Sequence, residues 1–459
     1  MGSGEARKGW RSEPRGSDAG LVPGHRGQPR SFSPWPAAAA PRGVDWRAMV
    51  SSGLLLTLSL LAMPQASSRS SVRTGLEVLA TSGFRELHGK RVGAVVNHTS
   101  RDDRGRHLAD LLAAVPQVQL VRLFAPEHGV RGDVDQHVAD GVDPGTGRPV
   151  VSLYSAKSRR PDREQLADLD VLLFDLQDVG ARFYTYTSTL SAVLDVAAAA
   201  GCEVWVLDRP CPIGGDVVEG PMLEPGRESF VGAHPIPARH GMTPGELARL
   251  FVGEQWVGQG KTRLRVIAAE GWRRGQLWSE LGRPWVRPSP NMASLETALV
   301  YPALCLLEGS TVSEGRGTDA PFLQLGAPWI DAKALAARLS AATLPGLVVA
   351  ATEFTPRAMP GRADHPKHQD QPCRGVRLTV TDPHAVRTAP LLVQVFLALL
   401  AQPDRPADLL RAERFDRLAG CAWLREQLLA GAAADAIQRR MAQEVERFLP
   451  LRARYLLYR

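Results

Sequence analysis

Cysteine is scarce in this 459-residue chain: the five residues, at 202, 211, 305, 373 and 421, are widely spaced and form no C-x-x-C pair. That excludes a disulfide-dense scaffold and a cysteine-ligated zinc site; at most two bridges can form, leaving one thiol unpaired. H-E-x-x-H and G-x-S-x-G are both missing, so neither a zincin nor a serine hydrolase is signalled. The string Gly315 to Ala320 fits G-x-G-x-x-A, but no strand precedes it and Pro321 follows where a helix should run, so it is not read as a dinucleotide site. The charge excess is small, +7 overall, and +4 of it falls in residues 1–48. The scattered remainder lacks the basic stripe of a nucleic-acid-binding domain. The apolar run from Leu54 to Met63 is too short to span a bilayer as a permanent anchor.

What is present is enough apolar residue, 44%, for a sizeable core. Residues 1–48, rich in Arg, Gly, Pro and Ser, read as a disordered leader. Arg42 and Arg47, the run from Leu54 to Met63 and the small polar residues after it have the order of a secretory signal. Residues 49–70 are therefore expected to direct export to the periplasm or the medium. From Thr74 onward, apolar β-branched runs alternate with helical patterns, which predicts a doubly wound α/β domain over residues 71–297. Strands are expected at Arg91 to Asn97, Val118 to Phe124, Asp170 to Leu176 and Glu203 to Asp208, with a helix at Thr189 to Ala200. Thr243, Pro244 and Glu246 form a capping box, giving that glutamate a structural role. A loop-rich stretch around 285–322 marks a boundary near 297. Residues 298–459 are expected to form a smaller α+β domain ending in a mostly helical segment.

In open α/β sheets ligands sit beyond the carboxyl ends of the strands. Each predicted strand here ends in polar groups: Asn97 and His98; Glu127 and His128; Asp175, Gln177, Asp178 and Arg182; Asp208 and Arg209. Such residues also favour turns on their own account, but four loaded ends on one rim point to a binding cleft. A metal reading of Glu127, His128, Asp133, Asp135 and His137 lacks a histidine pair at helical spacing, and no metal or cofactor is expected. Carboxylates are the strongest candidates: Glu127, Asp175, Asp178, Asp208, Glu314 and Asp319. A flanking pair of them is what glycoside hydrolysis requires.

The strings FAPEHGVRGD, TGRPVVSLY, DVLLFDLQDVGARFYTYTSTL, VLDRPCPIGGDVVEGP, FVGAHPIPARHGMTPGEL, WVRPSPNM and LLEGSTVSEGRGTDAPF occur in order across about residues 74–385. In them the chain resembles the NamZ-type exo-β-N-acetylmuramidases, a family of bacterial peptidoglycan hydrolases. It departs from the family's usual strings at Cys211, Ala293, Ala303 and Ser310. The resemblance implies a Rossmann-like domain, a smaller carboxy-terminal domain and an active-site cleft between them. It also implies release of N-acetylmuramic acid from the non-reducing end of peptidoglycan fragments, with Glu127 as the catalytic glutamate. His128 is expected to orient that acid, and Asp175, Asp178 or Glu314 to act as base, nucleophile or stabiliser. Because the sugar carries a lactyl carboxylate, a guanidinium is expected nearby, from Arg182, Arg209, Arg239 or Arg316. Asn97, Tyr184, Asp208, His240 and Asn291 complete the expected substrate-binding set. A cell-wall-binding protein without turnover and a metal-dependent hydrolase on the same rim stand as alternatives.

Overall fold

The computed structural model describes residues 72–132, 140–154 and 158–459. The expected leader and signal segment, and Asp133, Asp135 and His137, lie outside the described residues. The described residues form one compact unit.

The amino-terminal half runs α1 (Gly75–Thr81), β1 (Arg91–Val96), α2 (Leu108–Ala113), β2 (Gln119–Ala125), β3 (Gly141–Val142), β4 (Pro149–Ser152), β5 (Val171–Asp175), α3 (Tyr186–Ala200), β6 (Glu203–Leu207), β7 (Glu219–Met222), β8 (Pro237–Arg239), α4 (Pro244–Gly253) and β9 (Leu264–Ile267). Seven strands form one sheet in the order β3-β4-β2-β1-β5-β6-β9. All its pairings are parallel except that of the edge strand β3 with β4. This is the doubly wound sheet that the sequence pattern predicts. Strands β7 and β8 make a separate antiparallel hairpin.

The sheet's two faces follow the strand period of two. Val92, Ala94, Val96, Val171 and Leu173 join the core under α1 and α2. Val95, Leu172, Phe174, Val204 and Val206 join the larger core under α3 and α4. Helix α4 begins with the expected capping box: Thr243 accepts from the Glu246 amide and Glu246 returns to the Thr243 amide. Helix α3 ends at Gly201, which takes the left-handed conformation (φ 71°) of a helix terminator.

The carboxy-terminal half comprises α5 (Leu295–Leu304), β10 (Gln324–Ala327), α6 (Ala332–Ala341), β11 (Leu347–Phe354), β12 (Cys373–Val380), α7 (Thr388–Leu400), α8 (Ala412–Ala419), α9 (Trp423–Leu429) and α10 (Ala434–Ala453). Its three strands pair antiparallel in the order β10-β12-β11. The larger core continues from the sheet into this half through Leu299, Phe322, Leu378, Leu392 and Phe396. All five cysteines are buried and free.

Candidate active site

Strand β1 lies at the centre of the sheet with β2 on one side and β5 on the other, so their carboxyl ends bound the crevice where the winding changes direction. Strand β2 closes at Ala125, and Pro126, which has no amide hydrogen, stops the ladder. His128 (φ 76°) and Gly129 (φ 77°) then turn the chain through the left-handed region. Between the stopped strand and this turn stands Glu127, half-buried. The Thr185 hydroxyl donates to its Oε2 at 3.0 Å.

Thr185 immediately precedes α3, and its neighbours supply an aromatic wall. Tyr184 and Tyr186 meet edge to face with centroids 4.9 Å apart, Tyr184 meets Tyr301 at 6.1 Å, and Tyr301 meets Phe322 at 4.9 Å. The wall thus leads from the sheet rim into the carboxy-terminal half. Burial, with the Glu127 charge adding to it, raises both the Tyr184 and Tyr186 hydroxyls, so they stay phenols at neutral pH. Tyr186 accepts from Asn97 Nδ2 at 2.7 Å and donates to the Pro288 carbonyl at 2.9 Å, which ties the β1 end to the segment before α5. Thr185, Tyr186 and Tyr301 were missing from the expected set. The Y-T-Y string just ahead of a helical pattern is a sequence signal for the first two, and Tyr301 has none.

The remaining candidates divide sharply. Asp175 is fully buried in a bidentate ion pair with Arg209, at 2.6 and 3.0 Å. Asp178 is 4% exposed and accepts from the Gly180 amide at 2.6 Å and the Thr187 hydroxyl at 3.2 Å. Burial pushes its carboxyl up to about 7. His240 Nε2 lies 3.8 Å from it, and burial pulls that imidazole down to about 3, leaving it neutral. Asp208, fully buried, takes the Gly245 amide, the Thr243 hydroxyl and, at 2.5 Å, the Tyr458 hydroxyl. It anchors α4 and the chain's carboxy terminus. Glu314 is 4% exposed, held by Lys367 at 3.0 Å and Arg316 at 3.4 Å. Asn291 is 5% exposed and donates to the Arg362 carbonyl at 2.6 Å, joining the segment before α5 to the loop between β11 and β12.

The four arginines expected to meet a carboxylate are engaged elsewhere, a correction to the sequence reading. Arg182 donates to the carbonyls of Pro221, Ile236, Leu418 and Ala419 and, among the described residues, has no carboxylate partner. It is not the partner of Asp178. Arg209 faces Asp175; Arg239 faces Glu219 and the Ile213 carbonyl; Arg316 faces Glu308 and Glu314. Cys211, a departure from the family pattern, is buried: a methyl at Gly180 would come within 2.8 Å of its sulfur. It lies beneath the Asp178 turn. A hollow of about 340 Å³ opens beside α2, walled by Arg101, Arg106, His107, Asp110 and Arg131. Glu127 is not among its walls, and Arg131 there is paired with Asp110 and Asp143. Among the described residues no group of three His, Cys, Asp or Glu side chains is placed to hold a metal.

Comparison with known proteins agrees with this architecture. Residues 92–296 match the amino-terminal domain, and 299–458 the carboxy-terminal domain, of the family described as exo-beta-N-acetylmuramidase NamZ. A peptidoglycan beta-N-acetylmuramidase NamZ of Bacillus subtilis is 39% identical over 399 residues, 86% of this chain and 93% of the relative. Two DUF1343 family proteins of Bacteroides fragilis with crystal structures share the fold. BF0371 aligns with TM-score 0.78 at 35% identity, and BF0379 with TM-score 0.71 at 32% identity. Each alignment covers 85% of this chain, with 100% and 99% of the respective relatives. The chain belongs to the NamZ exo-β-N-acetylmuramidase family.

Proposed function

We propose that this protein releases N-acetylmuramic acid from the non-reducing end of peptidoglycan fragments, with Glu127 as the general acid. One observation carries the assignment of the acid. Of Glu127, Asp175, Asp178, Asp208, Glu314 and Asp319, only Glu127 and Asp319 keep a face to solvent, and of these two Glu127 alone stands at a strand end on the sheet rim; the other four are at most 4% exposed. A group that protonates a glycosidic oxygen must reach it, within about 3 Å in a productive complex. Among the described residues Glu127 stands free of any arginine or lysine ion pair, and the Thr185 hydroxyl that meets it is neutral. That hydroxyl orients the carboxyl. His128, buried in the left-handed turn, shapes the backbone that presents the acid.

The aromatic wall of Tyr184, Tyr186 and Tyr301 excludes water on one side of the acid, which strengthens electrostatic interactions within the crevice. Exo action demands a crevice blocked beyond one sugar, a task that suits the loops of the carboxy-terminal half, one of which Asn291 ties to the segment before α5. Export before action on the cell wall is supported by the order of charge and apolar residues from Arg42 to Met63; fractionation of cells making the full chain checks it.

The test is Glu127→Gln, assayed for free sugar from a disaccharide ending in N-acetylmuramic acid. Loss of general-acid catalysis lowers kcat about 100- to 10,000-fold while the fold is kept. An active variant would move the acid elsewhere. An inactive wild-type protein that still binds the disaccharide would make this a cell-wall-binding protein.

A further inference from the structure

The sugar that distinguishes the proposed substrate carries a carboxylate on its lactyl ether, and none of Arg182, Arg209, Arg239 and Arg316 is free to meet it. A different guanidinium lies on the sheet rim. In the parallel ladder of β2 and β4, Leu123 pairs with Val150, Phe124 with Val151 and Ala125 with Ser152, and the Leu153 amide donates to the Ala125 carbonyl. Tyr154 thus follows the carboxyl end of β4, the strand that neighbours β2, whose own end carries Glu127.

Tyr154 packs on Phe230, centroids 5.7 Å apart, from the segment between β7 and β8. The Arg159 guanidinium rests on both rings, its Cζ 4.9 Å from the Tyr154 centroid and 4.7 Å from that of Phe230. Arg159 is exposed, and among the described residues no carboxylate pairs with it. Stacking on aromatic faces restrains a guanidinium while leaving its in-plane N–H groups available for a planar carboxylate. Two separate elements, the end of β4 and the β7–β8 connection, converge to hold one cation at the carboxyl end of the strand next to β2.

We propose that Arg159, clamped by Tyr154 and Phe230, binds the lactyl carboxylate of the terminal sugar and sets selectivity for N-acetylmuramic acid over N-acetylglucosamine. This rests on the hydrolase reading of Glu127 for its substrate. Selectivity arises here because N-acetylglucosamine has a hydroxyl where the lactyl group stands, and so leaves the guanidinium with water.

The experiment separates binding from turnover. Calorimetric titration of the Glu127→Gln protein with each sugar is compared with the same titrations after adding Arg159→Gln, Arg159→Lys or Phe230→Leu, each with an unchanged melting profile. Arg159→Gln is expected to weaken N-acetylmuramic acid about 10- to 100-fold, the range of a charge-assisted hydrogen-bonded contact. N-acetylglucosamine should change by less than about twofold, since it makes no such contact. Arg159→Lys keeps part of the affinity, having charge without the planar fork. Phe230→Leu reproduces the selective loss at smaller size. Equal binding of N-acetylmuramic acid with and without Arg159, or equal weakening of both sugars, overturns the proposal. Arg159-dependent binding by a wild-type protein that releases no sugar leaves this subsite standing and removes the hydrolase reading instead.

Discussion

Asp178 and Arg182, four residues apart on the β5–α3 connection, are two opposite charges buried without each other. Four backbone carbonyls, from the β7–β8 hairpin and the end of α8, accept from the terminal nitrogens of Arg182. Burial lowers its guanidinium to about 10, which leaves it cationic at neutral pH. Asp178 has backbone amides and the Thr187 hydroxyl, and its carboxyl, desolvated by burial, rises to about 7. A carboxyl whose folded pKa is raised from 3.8 contributes stability that is fully present below pH 4 and is lost as pH climbs through about 7. Asp178→Asn should therefore leave stability near pH 4 almost unchanged and gain on the wild type toward pH 7, by roughly 3–5 kcal/mol, then run parallel to it. Denaturant titrations of both proteins across that window measure the difference. A constant offset between the two curves would mean that Asp178 ionises in the fold as it does in the unfolded chain.

Among the elements, the β5–α3 connection shows how a loop is held in place to build the crevice. Gly180 sits at φ 85° and its amide donates to Asp178 Oδ1. A Cβ there would approach Cys211 Sγ at 2.8 Å and Ile213 Cγ1 at 2.9 Å. Gly180→Ala combines a strained backbone with a clash against packed side chains, and is expected to cost about 1–3 kcal/mol in denaturant titration. Activity should fall further than stability explains, because the same connection leads directly to Thr185 beside Glu127. Helix α3 also begins three residues earlier than its apolar pattern suggests, at Tyr186 rather than Thr189. Tyr186, Thr187 and Ser188 are weak helix formers, yet all three are buried. Tertiary packing overrides propensity there, and the turn it adds carries the Tyr186 contact to Asn97.

At the scale of the molecule, the last residues close the structure onto the sheet. Tyr458 donates to Asp208 at 2.5 Å and accepts from the Ala269 amide at 2.8 Å, while the Leu457 amide donates to Glu246 at 2.8 Å. Glu246 is at once the capping-box residue of α4 and the buried partner of Arg274. The chain end, the first helix after the β7–β8 hairpin and the end of β6 are thus one polar cluster. Together with a core continuous across both halves, this predicts a single cooperative unfolding transition for the unit from residue 72 onward, seen as one coincident midpoint by fluorescence and far-UV dichroism. Tyr458→Phe removes the hydrogen bond to a buried carboxylate and should lower that whole transition by about 1.5–3 kcal/mol. Separate transitions for the two halves would contradict this coupling.

The sequence by itself determined the sheet, its helices and the rim. Alternating apolar runs specify which residues face which core, and Pro126 with the following glycine-containing turn specifies that Glu127 leaves the ladder at a strand end. Local rules of period, capping and turn geometry suffice for these features, as the Thr243 to Glu246 box also illustrates. Only the tertiary structure decided which polar groups are spoken for. Asp175, Asp208, Arg182 and Arg239 look as available in the sequence as Glu127 does, but each has partners 20 to 250 residues away. Burial and partnership of a charge depend on such distant contacts, which no local pattern encodes. For the same reason the cluster of Tyr154, Arg159 and Phe230 was hidden: two loops more than 70 residues apart meet only because β2 and β4 pair in register and the hairpin folds back over their ends.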